Sequence, residues 1–333
     1  MRLKTNHTLE FFKLLASFMV IFIHIPFYGQ MGDIVNGLAR FAVPLFLLIS
    51  GFYSYQIPPQ SIKKRIRNIL TLIIFGVVCC TAYNILELLV FENIDGLIHY
   101  FGRYTDLNAI LDFLLFNMPI SILHLWYLFA IVYVYIVFYI VTALRLNEKV
   151  IFAVSFLLLF LHILLGEGLS MFGISINMIY VRNFALMGIP FFSLGLLARK
   201  YEDKIRSIPN YVSIISALVG IIATVLSRIF LKENELHIGS IFILFAIVCV
   251  FIKYPDAKFP RILTLLEGCS TYIYIFHLVI ASVLIILYSK LGIDIYSSVA
   301  LTNLHPIVVC VCSTVFSYIL VKIFKMLRRP KKA

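Results

Sequence analysis

Glu10-Phe-Phe-Lys13-Leu-Leu-Ala-Ser17-Phe-Met-Val-Ile-Phe-Ile-His24-Ile-Pro26 sets a carboxylate, an ammonium and an imidazole inside an apolar run long enough to be a membrane span. Ionisable groups are costly in hydrocarbon, so their presence there marks a functional candidate. Lys13 and His24 are separated by eleven residues, roughly 1100° of helical rotation at about 100° per residue, or three turns plus about 20°. They share one face of the helix, roughly 16 Å apart along its axis at about 1.5 Å rise per residue. That stripe carries polarity from one half of a bilayer about 30 Å thick into the other.

The remaining sequence is of the same kind. Of 333 residues, 62% are hydrophobic and only 13% charged, and the mean hydropathy is +1.01. This composition lies far outside that of soluble domains and indicates a polytopic membrane protein. The net charge of +12 is then read as the excess of Lys and Arg on cytoplasmic loops, where it sets orientation and meets anionic lipid, and not as a nucleic-acid surface. Because Lys13 and His24 interrupt the first apolar run and no small-residue cleavage pattern follows it, the run reads as a retained span and not a signal peptide. The six cysteines, Cys79, Cys80, Cys249, Cys269, Cys310 and Cys312, sit in or beside apolar segments without zinc or redox spacing and read as small hydrophobes.

Apolar runs bounded by charge, Pro or Gly predict an all-α bundle of about ten spans, at 8–27, 36–56, 68–91, 124–144, 150–166, 183–199, 210–230, 237–252, 268–289 and 301–324. With both termini cytoplasmic, the inner segments collect Arg2 and Lys4, Lys63 to Arg67, Arg145 and Lys149, Arg199 to Arg206, Lys253 to Arg261, and the basic residues from Lys322 to Lys332. The outer segments keep only Arg40, Arg103, Arg182, Arg228, Lys232 and Lys290, with Lys13 inside a span. The positive-inside rule therefore directs Lys13 toward the cytosol and His24 toward the outside. The expected organisation is one transmembrane domain over residues 1–325 followed by a basic tail, 326–333. In the longest outer loop, 92–123, Asp106 precedes Leu107, Ile110, Leu111, Leu114 and Leu115, the spacing of a capped amphipathic helix lying on the membrane or lidding the bundle.

Several groups stand out along the spans, each with a plain alternative. Glu10 and Lys13 can pair at i, i+3 and snorkel to the interface. His24 is either a core histidine satisfied by a neighbour or, with an ordinary pKa of about 6.5, a proton acceptor or nucleophile in a polar cavity. In the second span Pro44 permits a bend and Ser50-Gly51 a close helix approach, while Arg40 snorkels or binds a ligand. His124-Leu-Trp126 opens the fourth span; Trp126 is an interfacial anchor or a ligand contact, and His124 a second histidine on the side of His24. Thr271 to His277, with Tyr274, forms a polar stripe in the ninth span, where His277 is again a core histidine or a site residue. No phosphate loop, metal-ligand cluster or nucleophile elbow is present.

The order and spacing of these motifs resemble the membrane acyltransferase-3 family, integral O-acyltransferases of surface glycans and related acceptors. The family's first span carries an acidic residue, then Arg, ten residues, then His; here these are Glu10, Lys13 and His24. Its second-span pattern is similar to Val43-Pro44-Leu-Phe-Leu-Leu-Ile-Ser50-Gly51-Phe52, its His-Leu-Trp to His124-Leu-Trp126, and its last motif to Ser270-Thr-Tyr272-Ile-Tyr274-Ile-Phe-His277 with one extra residue before the first Tyr. Asn183 to Gly195 is similar to a further family segment. Lys13 departs from the family arginine, keeping the charge and losing the bidentate fork. The resemblance implies acyl-CoA, acetyl-CoA in the simplest case, as a donor substrate from the cytosol with no bound cofactor or metal. It further implies a surface or lipid-linked glycan acceptor and residence in a bacterial plasma membrane. In that reading His24 is catalytic, Lys13 with Glu10 orients the donor, and Arg40, Ser50, His124, Trp126, Tyr274 and His277 bind substrate. Intramembrane charge and a bent helix serve a glycan or lipid transporter or flippase equally well, and that alternative stays open on sequence grounds, as does an inactive ligand-sensing relative.

Overall fold

The computed structural model describes residues 6–91, 93–231 and 234–327. Arg2, Lys4, Lys232, Arg328, Arg329, Lys331 and Lys332, which weigh in the charge count above, lie outside these, as does most of the tail. Helices are the regular structure of the described residues, with no strand among them. In chain order the helices are α1 (His7–His24), α2 (Gly29–Ala39), α3 (Ala42–Phe52), α4 (Pro59–Phe91), α5 (Asn93–Gly102), α6 (Leu107–Phe116), α7 (Trp126–Ala143) and α8 (Glu148–Ile163). They continue with α9 (Ile189–Lys200), α10 (Glu202–Ser207), α11 (Asn210–Phe230), α12 (Ile238–Lys253), α13 (Arg261–Leu265), α14 (Ser270–Lys290) and α15 (Val299–Leu327). Among the described residues, eight helical segments are long and apolar enough to cross a membrane, as a multi-pass membrane protein requires. The stretches expected at 237–252 and 183–199 form shorter helices, the apolar Ile238–Lys253 and α9 continued backward through a π-helical turn at Phe184–Gly188.

The expected second span is broken in two at Arg40–Phe41. Pro44 explains where: its ring excludes the carbonyl four residues earlier, that of Arg40, and it lacks the N–H that would bond there. Pro44 thus sits in the first turn of α3, where its missing donor costs nothing. The helix expected after Asp106 is present, with the Asp106 carboxylate accepting the Asn108 N–H at 3.1 Å, and α6 buries none of its residues.

Two compact units emerge: Met1–Val43 with Glu202–Phe230 and His237–Ala333, and Pro44–Tyr201 with Leu231–Leu236. In the first, α1 packs on α14, α2, α15 and α12, its Leu14 and Ile21 meeting Cys269, Ile273, Ala281, Val309 and Val321 in a buried core. The start of α1 is tied down by the 251–259 segment: Asn6 caps Leu9 N–H at 2.8 Å and donates to the Phe251 carbonyl at 2.9 Å, and Phe11 stacks on Phe259 at 4.9 Å. Helices α11 and α12 cross where Gly220 meets Gly239, a Cβ on Gly239 falling 2.3 Å from the Gly220 carbonyl oxygen. The small-residue crossing lets backbones approach where lipid tails supply no hydrophobic drive.

The second unit uses the same device. A Cβ on Gly51 of α3 would stand 1.9 Å from the Phe192 carbonyl oxygen, and one on Gly195 of α9 1.9 Å from that of Leu48. The close approach expected of Ser50-Gly51 is this α3–α9 crossing. Cys80, Cys249 and Cys269 are buried and all six cysteines are free thiols.

Candidate functional site

In the first unit the polar stripe of α1 meets α14 at two levels. At its N-terminal level, Lys13 Nζ donates to Glu10 Oε1 at 2.8 Å, and the other Glu10 oxygen accepts the Gly268 N–H at 3.3 Å. Gly268 takes φ +85 just ahead of α14, a left-handed conformation that glycine adopts without strain. The Glu10 carboxylate therefore lies at the N-terminus of α14, where the helix dipole favours a negative charge. One turn before, His7 Nδ1 pairs with Glu267 Oε1 at 2.6 Å. The pairing foreseen for Glu10 and Lys13 is present, and the side chains remain partly exposed, 18% and 24%.

Eleven residues on, the His24 ring lies 5.3 Å from the His277 ring, centroid to centroid, at 37°. His277 is fully buried and its Nδ1 lies 2.8 Å from the Tyr274 carbonyl oxygen. A carbonyl only accepts, so Nδ1 carries the proton and, in the neutral ring, Nε2 carries the lone pair. The backbone of α14 thus fixes the tautomer of the imidazole beside His24. Tyr274 contributes this carbonyl, and its ring centroid is 6.4 Å from that of His277.

Arg40 reaches the same end of α1. It is buried, 7% exposed, and does not snorkel; its Nε donates to Asn36 Oδ1 at 3.2 Å, and Asn36 Nδ2 donates to the Ile23 carbonyl at 3.1 Å, one residue before His24. The connection at 25–28 returns the chain so that α2 packs on α1, which brings Asn36 to the Ile23 carbonyl. Glu10, Lys13, His24, Arg40, Tyr274 and His277 are accordingly brought onto α1 and its immediate neighbours; Asn36 completes the set and was missed, since an Asn between small residues carries no signal by itself.

The acyltransferase-3 family model, an acyltransferase domain, matches residues 6–322. The chain belongs to that family. It is a membrane acyltransferase, with the helices above as the family's membrane-embedded domain. No curated protein and no solved structure matches the chain.

Ser50, His124 and Trp126 belong to the second unit. The Ser50 hydroxyl donates to the Phe46 carbonyl at 2.9 Å and also hydrogen-bonds the Tyr127 side chain of α7. His124, in the turn before α7, and Trp126 are both buried, so Trp126 is no lipid-facing anchor. The Arg182 guanidinium lies over its ring at 5.4 Å. Below it Asn117, at φ 52, accepts the Phe184 N–H at 2.6 Å, and Asn183 caps the π-helical turn by accepting from Ala185 and Leu186 at 3.0 and 2.9 Å. Arg182, Glu235, His162 and Glu167 join this region and were missed. The signal was available for His162, an ionisable residue in an apolar run. A cavity of about 230 Å³ lies elsewhere in the same unit, lined by Tyr55, Phe138, Arg145, Phe152 and Leu196 among others. No group of three or more His, Cys, Asp or Glu among the described residues is arranged to hold a metal.

Proposed function

We propose that the enzyme moves an acyl group, acetyl in the simplest case, from cytosolic acyl-CoA to a hydroxyl of a cell-surface or lipid-linked glycan in a bacterial plasma membrane, with His24 as the catalytic base. The observation that carries this is the His24–His277 pair, two imidazoles at one level of the α1–α14 seam, one of them held in a single tautomer. The acceptor hydroxyl gives its proton to His24 while its oxygen forms the new bond to the thioester carbonyl carbon; the acyl–sulfur bond breaks and the proton leaves with the CoA thiolate. Alternatively His24 first carries the acyl group and then yields it to the hydroxyl oxygen. His277 stands close enough to share the positive charge that His24 acquires. Lys13, held by Glu10, is the nearest cation on the same stripe and serves the anionic donor; Arg40, buried beside Ile23, serves the acceptor. The charge distribution of the loops supports a donor side at Lys13 and an acceptor side at His24.

The test is a His24→Ala chain expressed in cells whose surface glycan is assayed for acylation. Loss of the modification at normal protein level is expected. Retained acylation would show that another group is the base.

A further inference from the structure

Within the second unit, a nest of polar groups surrounds Glu235. Arg182 Nη1 is 3.9 Å from Glu235 Oε1, the two side chains being 12% and 11% exposed. The remaining contacts of the guanidinium are weak ones, the Trp126 ring at 5.4 Å and the Met118 sulfur at 3.7 Å, and its Nε–H is buried without a hydrogen-bond partner. His162, 1% exposed, faces Glu235 electrostatically and bonds to the Val181 backbone. Its Nδ1 is buried and unpartnered, so the bond to the Val181 carbonyl is made by Nε2–H, and Nδ1 of the neutral ring holds a lone pair. Asn234, next to Glu235 in the chain, and Glu167, five residues beyond His162, are buried, and Ser170 Oγ donates to Asn234 Oδ1 at 2.9 Å.

Two π-helical turns frame the nest. Glu167 lies in the one at Leu164–Gly168, and the other, Phe184–Gly188, begins two residues after Arg182. Single π turns inside α-helices recur at functional sites. Buried polar atoms are nearly always satisfied, so an orphaned donor and an orphaned acceptor on two residues that both interact with one carboxylate call for an occupant.

The chemistry of the vacancy selects it. An anion would satisfy Arg182 Nε–H and would face the Glu235 and Glu167 carboxylates and a lone pair on His162. A cation would satisfy His162 and face Arg182. A hydroxyl donates once and accepts twice, matching both orphans at once. We infer that this nest binds a hydroxyl-bearing ligand, a saccharide or polyol, seated between Arg182 and His162 beside Trp126. Calling that ligand the acyl acceptor rests on the acyl-transfer reading above; the binding site itself does not. The charge pattern of the loops puts the 117–125, 167–182 and 231–236 segments on the outer side, where a surface glycan would be met.

The chain has a single tryptophan, Trp126, which makes the site report on itself. The purified full chain in detergent is titrated with glucose, N-acetylglucosamine and glycerol while Trp126 fluorescence is followed. At least one of the three is expected to give a saturable change, with the apparent Kd raised about tenfold or more in His162→Gln and in Arg182→Lys, the scale of one buried hydrogen bond left unmade. Gln at position 162 can still donate to the Val181 carbonyl, as Nε2–H does, and lacks the acceptor at the Nδ1 position. Arg182→Lys is the second, independent removal, keeping charge without the Nε–H. The proposal is overturned by no saturable response to any of the three, or by a response unaltered in both variants, which leaves only a structural water in the nest. A response to inorganic phosphate or acetate in place of the hydroxyl compounds overturns it as well. A saturable saccharide response in a protein that transfers no acyl group would sink the acyl-transfer reading and leave the site; acyl transfer with no such response would do the reverse.

Discussion

Gly195→Ala should weaken the fold although the same change usually strengthens a helix. Ala is better than Gly in a helix interior by about 0.8–1 kcal/mol, so an uncrowded Gly195 would gain stability. The added Cβ, however, falls 1.9 Å from the Leu48 carbonyl oxygen and 2.6 Å from the Phe52 nitrogen, against ordinary contact from 3.4 Å. Both obstacles are backbone atoms of α3, so no rotamer relieves them and the helices must part by about 1.5 Å along that line. Overpacking of this kind costs about 1–3 kcal/mol and more where backbone must shift; the reciprocal contact at Gly51 and Phe192 opens with it. A net loss of about 2 kcal/mol lowers the melting midpoint by about 3 °C in a chain of this size. The assay is thermal unfolding of the purified protein in detergent, with Gly102→Ala as the reference, since nothing lies within 4 Å of a Cβ there. A Gly195→Ala midpoint equal to or above that of the unmodified protein would refute the α3–α9 backbone contact.

Substitutions at two positions probe the α1–α14 seam. Lys13→Arg, which restores the family residue, should keep the ion pair with Glu10 and leave acyl transfer within about threefold, whereas Lys13→Ala should raise the KM for the donor tenfold or more, read from initial rates against acyl-CoA concentration. His277→Asn keeps a donor in the Nδ1 position for the Tyr274 carbonyl and removes Nε2; it should preserve the melting midpoint while lowering kcat by about 10²-fold or more, and a kcat near that of the unmodified enzyme would confine His277 to a packing role.

Much of this fold was readable because hydropathy and punctuation act locally. The limits of α11 coincide with the expected span, and Pro44 forecast a bend in the second. The start of α4 was set late, at 68 and not Pro59, because a hydropathy reading stops at Lys63 to Arg67. The helix continues through them, and Arg65 folds back to Ser54, Tyr135 and the Tyr53 carbonyl at 3.2, 3.1 and 2.6 Å. The stripe joining Lys13 to His24 follows from helical geometry alone, whereas its pairing with His277 needed tertiary structure. So did the meeting of His162, Arg182 and Glu235, which lie on separate segments. The two π turns were invisible because each rests on a one-residue change of hydrogen-bond register that composition does not encode. Trp126 stayed open between anchor and ligand contact because an amphipathic ring suits an interface and a buried cation equally well, and its burial removes the first.

The central claim is that His24 is the group through which this family member transfers an acyl group. Purified protein in lipid bilayers, supplied with labelled acetyl-CoA and a membrane glycan fraction, should move label into the glycan. His24→Ala should reduce that transfer by at least about 10²-fold while keeping the melting midpoint of the unmodified protein. Transfer by the folded His24→Ala protein at the unmodified rate would contradict the account.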